Sequence, residues 1–381
     1  MTDIISPAWC ELQYWYSLTR YGRIRRTPAM KQGSTVHKVL EEQVHTEVPI
    51  EVVSKEDRFA LRLWNVIQGL RTMRRTGMTR EMEVWGVIEG EVVNGIVDQI
   101  TTECPDEPME AKMLEKAEGA PKKGQKPLPA DQRTLTDYLK LSQSASVLEA
   151  PNSSAWLSPI LKPQTLYIVD VKTRKSLSLP EATSSQFRST RMQLQLYRQL
   201  FSALASNTVP AQQIFDRYAV DASATFSDTF IAQMSSLDIA FSPTEIEGEV
   251  DDRGPTDSID ELLAHKTLTT LWTLMISEFA LTVPSIDSIS PLLTAEYRGS
   301  ASGKLLGRTS FAFDSVGLDA YVQDELKWWR GERPAKGVEI EEAFKCGFCK
   351  FAEVCEWRKT KVEEGIQKAR LRKEKRRRSE V

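Results

Sequence analysis

Cysteine is scarce in this chain, with five residues among 381. Because they are few and odd in number, they exclude a disulfide scaffold and favour a reducing compartment. Long apolar runs are also missing: no stretch reaches roughly 18 residues, so we expect no membrane-spanning helix and no membrane partner. The first residues lack the basic and apolar segments of a signal peptide, and they are too short and acidic for a mitochondrial presequence.

A large excess of charge of either sign is missing as well. The chain has 50 lysines and arginines against 53 acidic residues, which gives a net charge of −3. A composition of 41% apolar and 27% charged residues is that of a globular protein of one or two domains. Positive charge is concentrated at Arg23, Arg25 and Arg26, and in a tail over residues 370–378. The tail is either a solvated, unstructured end or an arm for nucleic acid or nuclear import.

Four of the cysteines have a spacing typical of metal sites. Cys346, Cys349 and Cys355 form a C-x2-C-x5-C run, and Cys10 lies near the N-terminus. Thiolates at this spacing can hold one soft metal centre, which needs a fourth ligand. If Cys10 supplies that ligand, the metal joins the two ends of the chain. Four thiolates suit either zinc or an iron–sulfur cluster. Cys104 lies in a polar segment, and we interpret it as a spare thiol.

The periodicity of apolar residues predicts a mixed α/β chain. Helices are predicted after Ser6-Pro7, after Gly33, and over residues 59–73, 185–206, 262–279 and 318–329. Strands are predicted as a hairpin over 81–100, as single strands over 165–174 and 214–220, and as a pair over 294–314. Residues from about 102 to 162 are polar, and we interpret them as an insertion with a short helix near 135–141. Residues 221–255 are predicted to be irregular.

The predicted strand over residues 165–174 ends in Asp170 and Lys172. Two positions apart on a strand, these side chains point to one face, while Val169 and Val171 point to the other and can be buried. A carboxylate can hold a hard divalent cation, and a lysine can position a water and stabilise charge during phosphodiester hydrolysis. Taken alone, an Asp-x-Lys pair is more often a surface ion pair.

Further groups are needed to hold a metal ion beside Asp170. Asp98 follows a predicted strand and is a second candidate ligand. His37 and Glu41 share a helix face, so His37 is a further candidate and Glu41 can support it. Gln193 and Tyr197 also share a helix face, and their polar ends can hydrogen-bond the lysine, the water or the phosphate. Each of these is also an ordinary helix residue by itself, and the order of all of them along the chain favours a site.

This order of motifs resembles the PD-(D/E)xK nuclease superfamily, and within it the fungal exonuclease V family, a RecB-like nuclease with an iron–sulfur cluster. The resemblance extends from Cys10 to Cys355, and the split cysteines are its most specific motif. It implies an α/β restriction-endonuclease-like core, with a mixed central sheet flanked by helices and with helical ends joined by a four-cysteine cluster. Residues 1–358 would form one nuclease domain, interrupted at about 102–162, and residues 359–381 a basic tail.

The resemblance also implies the chemistry of the site. It implies an exonuclease on single-stranded DNA, 5′-directed, in genome maintenance or repair in the mitochondrion or nucleus. The protein would be a monomer, with a single-strand-binding protein as a candidate partner. Mg²⁺ or Mn²⁺ would be held by His37, Asp98 and Asp170, with catalysis by Asp98, Asp170, Lys172, Gln193 and Tyr197. A [4Fe–4S] cluster would be held by Cys10, Cys346, Cys349 and Cys355. DNA phosphates are expected at Arg23, Arg25, Arg26, Arg174, Arg188 and Arg191.

A second interpretation stays open at this point. The chain could be a non-catalytic DNA-binding or scaffold protein whose cysteines hold structural zinc. C-x2-C pairs are common in zinc ribbons, but ribbons usually draw their ligands from two nearby pairs, so the remote Cys10 favours iron–sulfur. The long gap between Asp98 and Asp170, which contains the insertion, leaves the route of substrate access undetermined.

Overall fold

A computed structural model describes residues 1–22, 28–44, 50–118, 164–241, 261 and 263–379. The chain divides into two compact units, one formed by Met1–Asp106 with Thr165–Val381 and the other by Glu107–Gln164. The larger unit contains a five-stranded sheet with helices around it, which confirms the predicted mixed α/β class. Across the described ranges, every helix is too short or too polar to cross a bilayer.

The sheet follows the order of its strands along the chain. These are β1 Met78–Ile88, β2 Glu91–Thr101, β3 Leu166–Arg174, β4 Ile289–Gly299 and β5 Leu305–Ala312. β3 and β4 are parallel, and the other neighbouring pairs are antiparallel. Glu89 and Gly90 join β1 to β2 with φ angles of 51° and 85°, as a two-residue hairpin turn requires. The predicted strands at 81–100, 165–174 and 294–314 are therefore confirmed.

Helices occupy most of the remaining described chain. They are α1 Thr2–Ile5, α2 Glu11–Tyr21, α3 Pro28–Glu41, α4 Lys55–Thr76, α5 Glu107–Glu118, α6 Arg188–Ala205, α7 Ala211–Tyr218, α8 Asp228–Phe241, α9 Leu268–Thr282, α10 Ser315–Trp329 and α11 Glu356–Ser379. Short 3₁₀ helices lie at Ser6–Ala8, Ile286–Ser288 and Ile340–Phe348. The predicted helices at 59–73, 185–206 and 318–329 are confirmed as α4, α6 and α10.

The core is formed where α4 and α6 pack against the sheet and α9 packs against these two helices. Trp85 of β1 lies at its centre, with ring centroids 5.9 Å from Phe59 and 6.2 Å from Trp272. Gly86 lets α6 approach β1, because a Cβ atom there would lie 2.5 Å from Leu200 Cδ2. The apolar side of α6 is therefore held against the sheet. This contact also sets the position of the polar side chains on the other side of the helix.

The predicted strand at 214–220 is wrong, because residues 211–218 form α7. Ile214 and Phe215 are its buried residues, and an apolar run this short does not distinguish a strand from one face of a helix. The irregular segment predicted at 221–255 is also wrong in part, since α8 begins at Asp228. The tail is helical and not unstructured over Glu356–Ser379, with ion pairs between residues three positions apart.

Three predicted helix starts are also shifted. Ser6-Pro7 opens a single 3₁₀ turn, and α2 begins only at Glu11, with Cys10 as its N-cap residue. α3 begins at Pro28, so Gly33 lies inside the helix and does not precede it. α9 begins at Leu268, because Thr267 and Thr270 cap it reciprocally. The short helix predicted at 135–141 lies outside the described residues.

A buried ion-pair network joins α4 to α9 and gives a stability prediction. Glu278 accepts from Arg71 at 2.7 Å and from Arg74. Burial acts to raise the pKa of Glu278, but the two guanidinium groups lower it below its usual value. We expect Glu278→Gln to lower the free energy of unfolding by about 3 kcal/mol, at the low end for a broken buried pair because the amide oxygen still accepts.

The same network predicts that the free energy of unfolding depends on pH, which denaturant titrations can measure. A carboxyl with a lowered folded pKa contributes stability above its unfolded pKa of about 4.3 and loses it as the pH falls through the folded value. Wild-type stability should therefore fall more steeply than that of Glu278→Gln below about pH 4. Glu91→Gln, at an exposed pair 3.9 Å from Arg330, is the matched control and should change little. If the free energies of unfolding of wild type and Glu278→Gln fall equally steeply below about pH 4, this account is contradicted.

Candidate active site

Two carboxylates lie side by side on β2 and β3. The register pairs Gln99 with Val169, which puts Asp98 opposite Asp170, and both side chains are buried. Asp98 Oδ2 accepts a hydrogen bond of 2.7 Å from the Val171 backbone N–H. Burial first, and then the charge of Asp170, raise the pKa of Asp98 to about 7. Two acids in this position need positive charge nearby, because burial of an unpaired carboxylate is costly.

Lys172 supplies part of that charge. Its Nζ donates to Asp170 Oδ1 and to Gln193 Oε1, both at 2.9 Å. Nζ also lies 2.7 Å from Asp170 Oδ2, so the ammonium is ion-paired with both oxygens of this carboxylate. Burial acts to lower the pKa of Lys172, yet Asp170 and Asp98 raise it above its usual value. The lysine is therefore an ammonium that offsets the charge of Asp170.

α6 holds the lysine from the other side. Gln193 Nε2 donates to the Tyr197 hydroxyl at 2.7 Å, which leaves the amide oxygen directed at Lys172. Burial, followed by the charges of Asp170 and Asp98, raises the pKa of Tyr197, so the phenol is neutral. The four-residue spacing predicted from the sequence thus gives a continuous chain of contacts from Tyr197 through Gln193 and Lys172 to Asp170.

α3 brings a histidine to the same place. A Cβ atom on Gly33 would lie 3.1 Å from Thr173 Oγ1, so the glycine allows α3 to approach β3 closely. His37 Nε2 then lies 3.0 Å from the Val171 carbonyl oxygen, and Nδ1 lies 3.8 Å from Asp98 Oδ1. The structure therefore brings His37, Asp98, Asp170, Lys172, Gln193 and Tyr197 together. Glu41 is the last residue of α3, one turn beyond His37.

The sequence prediction missed one carboxylate of this site. Glu81 Oε1 lies 3.2 Å from His37 Nδ1, and this hydrogen bond raises the pKa of His37 above its usual value in spite of burial. Within the described residues, His37, Glu81 and Asp98 are the three metal-binding side chains whose ligand atoms lie within 4.8 Å of one another. The Glu89-Gly90 turn sets a register in which Glu81 faces Asp98, and that signal was present in the sequence.

The predicted DNA-contacting arginines have different positions. The Arg174 guanidinium lies 5.4 Å from the centre of the Tyr297 ring, and that of Arg188 lies 5.9 Å from the Tyr321 ring. Among the described residues, buried Arg191 Nε has no hydrogen-bond partner, and burial and then Arg188 lower the pKa of Arg191. Arg188 and Arg191 lie in the first turn of α6, the helix of Gln193. Arg23, Arg25 and Arg26 lie outside the described residues.

Four cysteines from both ends of the chain line one pocket. Cys10, Cys346, Cys349 and Cys355 all face it, and Gln13 Nε2 donates to Cys349 Sγ at 3.7 Å. Burial first, and then the other three thiols, raise the pKa of Cys10 to about 11. Four thiols placed together in this way suit a site for a soft metal.

Protein contacts join the two ends of the chain beside these cysteines. Glu11 accepts two hydrogen bonds from Arg333, at 2.7 and 2.8 Å, and the Leu12 backbone N–H donates to the Lys336 carbonyl at 3.1 Å. The rings of Tyr16 and Phe351 stack with centroids 5.4 Å apart. α2 is therefore held against the cysteine run by an ion pair, a backbone hydrogen bond and ring packing.

Exposed rings and cations surround this junction, and among them only Tyr21 was predicted as a candidate for stacking. Phe348 is 88% exposed between two of the cysteines, and Tyr21 is 61% exposed. Lys350 Nζ lies 4.7 Å from the centre of the Tyr21 ring, and the Arg20 guanidinium lies 5.8 Å from that of Tyr16. We call these five residues the aromatic surface. Exposed rings beside cations are typical of surfaces that bind single-stranded nucleic acid.

A mixed five-stranded sheet with buried carboxylates and a lysine at neighbouring strand positions is compatible with the core of a nuclease. A sequence profile described as "Exonuclease V - a 5' deoxyribonuclease" matches residues 1–358. The chain therefore belongs to the exonuclease V family. Membership of this family supports a nuclease function on DNA.

Relatives of this family resemble the chain over nearly its whole length. Exonuclease V of Danio rerio is 24% identical over 373 residues, which cover 97% of this chain and 72% of the relative. Two fungal proteins are named "Exonuclease V, mitochondrial". The protein of Eremothecium gossypii is 22% identical, over 95% of this chain and 77% of its own length. That of Komagataella phaffii is also 22% identical, over 94% of this chain and 76% of its own length.

Proposed function

We propose that this chain is a metal-dependent exonuclease that hydrolyses single-stranded DNA from an end. The pairing of Asp98, Asp170 and Lys172 on neighbouring strands, in a member of the exonuclease V family, carries the proposal. Lys172 offsets the negative charge of Asp170, and a cation would offset that of Asp98. Asp98 fits this need, because its ligand oxygen lies within 4.8 Å of a ligand nitrogen of His37, and an ion can take it as a ligand.

The candidate ligands suit a hard divalent cation. His37, Asp98 and Asp170 would hold Mg²⁺ or Mn²⁺, which prefer oxygen ligands and accept an imidazole. When bound, such a cation lowers the pKa of a water and stabilises the leaving oxygen. Lys172 is held as an ammonium between Asp170 and Gln193, where it can stabilise negative charge on the phosphate. Tyr197 keeps the Gln193 amide in the orientation that accepts from the lysine.

Substitution of the strand pair tests the site. We expect Asp170→Ala and Lys172→Ala each to lower the cleavage rate of an end-labelled single strand by about a hundredfold or more, because each removes charge that acts on the reacting phosphate. Both variants should stay folded by circular dichroism, and their binding of single-stranded DNA, measured by fluorescence anisotropy, should stay close to wild type. Lys304→Ala, an exposed lysine in the β4–β5 turn, is the control. Cleavage by either site variant near the wild-type rate would refute this assignment.

The aromatic surface supports a single-stranded substrate. Bases that are not paired can stack on Phe348 and Tyr21, while Arg20 and Lys350 contact phosphates. A duplex hides its base faces, so it gains only the phosphate contacts. Arg188 and Arg191, at the start of α6, are further candidates for phosphate contact beside the site.

Loss of one ring should weaken binding to single strands selectively. We expect Phe348→Ala to lower the affinity for a single strand by about 1–3 kcal/mol, the range for one stacked base, and to leave duplex affinity almost unchanged. Binding is measured in EDTA so that no cleavage occurs. Val316→Ala, which truncates a side chain that is 77% exposed on α10, is the matched control. Equal losses for single strand and duplex would contradict a stacking role.

Polarity and compartment complete the proposal. The family description names a 5′ deoxyribonuclease, which supports cleavage from 5′ ends. The names of the two fungal relatives support the mitochondrion, while the basic helix α11 is also compatible with the nucleus. Release from 5′-labelled and 3′-labelled strands tests the polarity. A monomeric state and a single-strand-binding protein as partner stay predictions.

For the cysteine pocket we propose a [4Fe–4S] cluster on Cys10, Cys346, Cys349 and Cys355. Zinc ribbons usually draw their ligands from two nearby pairs, so the remote Cys10 favours a cluster over a single zinc ion. The cluster would join both ends of the chain.

Comparison of two cysteine variants tests the cluster. We expect purified Cys10→Ala to lack iron and the broad visible absorbance of a cluster, and to unfold at a lower temperature than wild type, because one ligand and one cross-link are lost. Cys104→Ala changes the fifth cysteine, which is not among the pocket residues, and should retain both properties. A colourless wild-type protein that contains zinc and cleaves no DNA would support the alternative, a non-catalytic DNA-binding protein.

A further inference from the structure

Glu81 has a backbone conformation that its position in the fold does not require. Its φ angle is 50°, in the left-handed region that costs a residue with a side chain about 1–2 kcal/mol. The other described non-glycine residues with positive φ lie at chain reversals: Glu89 in the hairpin turn, Asn207 after α6 and Ala219 at the end of α7. Glu81 lies inside β1. Strain at such a place is typical of functional sites.

This conformation interrupts the ladder beside Asp98. Arg80 pairs with Gln99, and Met82 pairs with Val97, but Glu81 and Asp98 between them do not pair. The Glu81 carboxylate instead lies 3.2 Å from Nδ1 of His37, which belongs to α3 and not to the sheet. The strained residue is therefore the one that contacts the candidate metal-binding histidine.

The two ring nitrogens of His37 face different partners. Nδ1 faces the Glu81 carboxylate, which can only accept a hydrogen bond. Nε2 faces the Val171 carbonyl oxygen at 3.0 Å, which also can only accept. Two lone pairs at that distance repel each other unless a proton or a cation lies between them. If Nδ1 keeps its hydrogen for Glu81, then Nε2 is the nitrogen that can exchange its hydrogen for a cation.

We propose that Glu81 is a positioning residue that accepts the Nδ1–H of His37 and thereby presents Nε2 to the divalent cation. The inference rests on the proposed metal site. A carboxylate that holds the second nitrogen of a metal-bound histidine fixes its tautomer and ring orientation. Nε2 is directed at the backbone between Asp170 and Lys172, so this tautomer turns the ligand towards the pair proposed to act on the phosphate. In the rival arrangement, Glu81 would itself bind the cation together with Nδ1.

A substitution to asparagine separates this role from a structural one. Asparagine tolerates the left-handed region better than glutamate, so Glu81→Asn should unfold at the same or a higher temperature than wild type. Its shorter side chain cannot reach His37, and we expect the Mn²⁺ affinity, measured by electron paramagnetic resonance, to fall by about 10- to 100-fold. Glu89→Asn, at the exposed positive-φ residue of the same hairpin, is the control and should keep wild-type affinity.

The conservative variant distinguishes a positioning residue from a ligand. The amide oxygen of Glu81→Gln still accepts from Nδ1–H, so its Mn²⁺ affinity should stay within about tenfold of wild type, above that of Glu81→Asn. A loss in Glu81→Gln as large as in Glu81→Asn would overturn the proposal in favour of direct ligation. Unchanged affinity in Glu81→Asn would overturn it as well.

The tautomer can be observed directly, because the chain has only three histidines. In ¹⁵N-histidine-labelled protein loaded with Mg²⁺, we expect the His37 ring to carry its hydrogen on Nδ1, with His37→Gln assigning the signal. A hydrogen on Nε2 would overturn the proposal. If His37→Gln binds Mn²⁺ as wild type does, the proposed metal site is wrong as a whole. If Mn²⁺ binding depends on His37 but not on Glu81, the positioning role of Glu81 is wrong and the proposed metal site stands.

Discussion

The burial of two acidic side chains on neighbouring strands is the constraint on which the site depends. Asp98 and Asp170 face each other across β2 and β3 and are almost inaccessible to water. Such a pair is stable only if positive charge or protonation compensates it. Lys172 and His37 are the cationic groups that the fold brings to them, from β3 itself and from α3. Burial and the charge of Asp170 raise the pKa of Asp98 to about 7, and a bound cation would stabilise its charged form.

The scaffold around this pair is built to hold those cationic groups in place. The apolar side of α6 packs on the sheet, so its polar residues Gln193 and Tyr197 meet Lys172 at fixed distances. α3 approaches β3 closely at Gly33 and so carries His37 to the strand end. Elsewhere, an ion pair of Glu11 with Arg333 and stacked rings hold α2 against the cysteine run. The proposed cluster would strengthen a junction that protein contacts already form.

The sequence predicted the residues whose signal is local. Asp170 and Lys172 follow from alternation along one strand, and Gln193 with Tyr197 follow from one turn of helix. Glu81 was missed because its contact with His37 depends on a left-handed φ angle and on the packing of α3, neither of which a strand pattern contains. The helix at Ala211–Tyr218 was mistaken for a strand because a short apolar run fits both periods. The proximity of Cys10 to the other cysteines was predicted from the family resemblance, since no local pattern joins residues so far apart along the chain.

The central claim is that this chain uses a divalent cation at Asp98 and Asp170 to cut single-stranded DNA from an end. The most direct measurement compares linear and circular single strands of one sequence, incubated with the metal-free protein while Mg²⁺ is titrated. The account predicts that the linear strand is degraded only as Mg²⁺ is added and that the circular strand stays intact. Equal degradation of both strands, or degradation of the linear strand in excess EDTA, would contradict it.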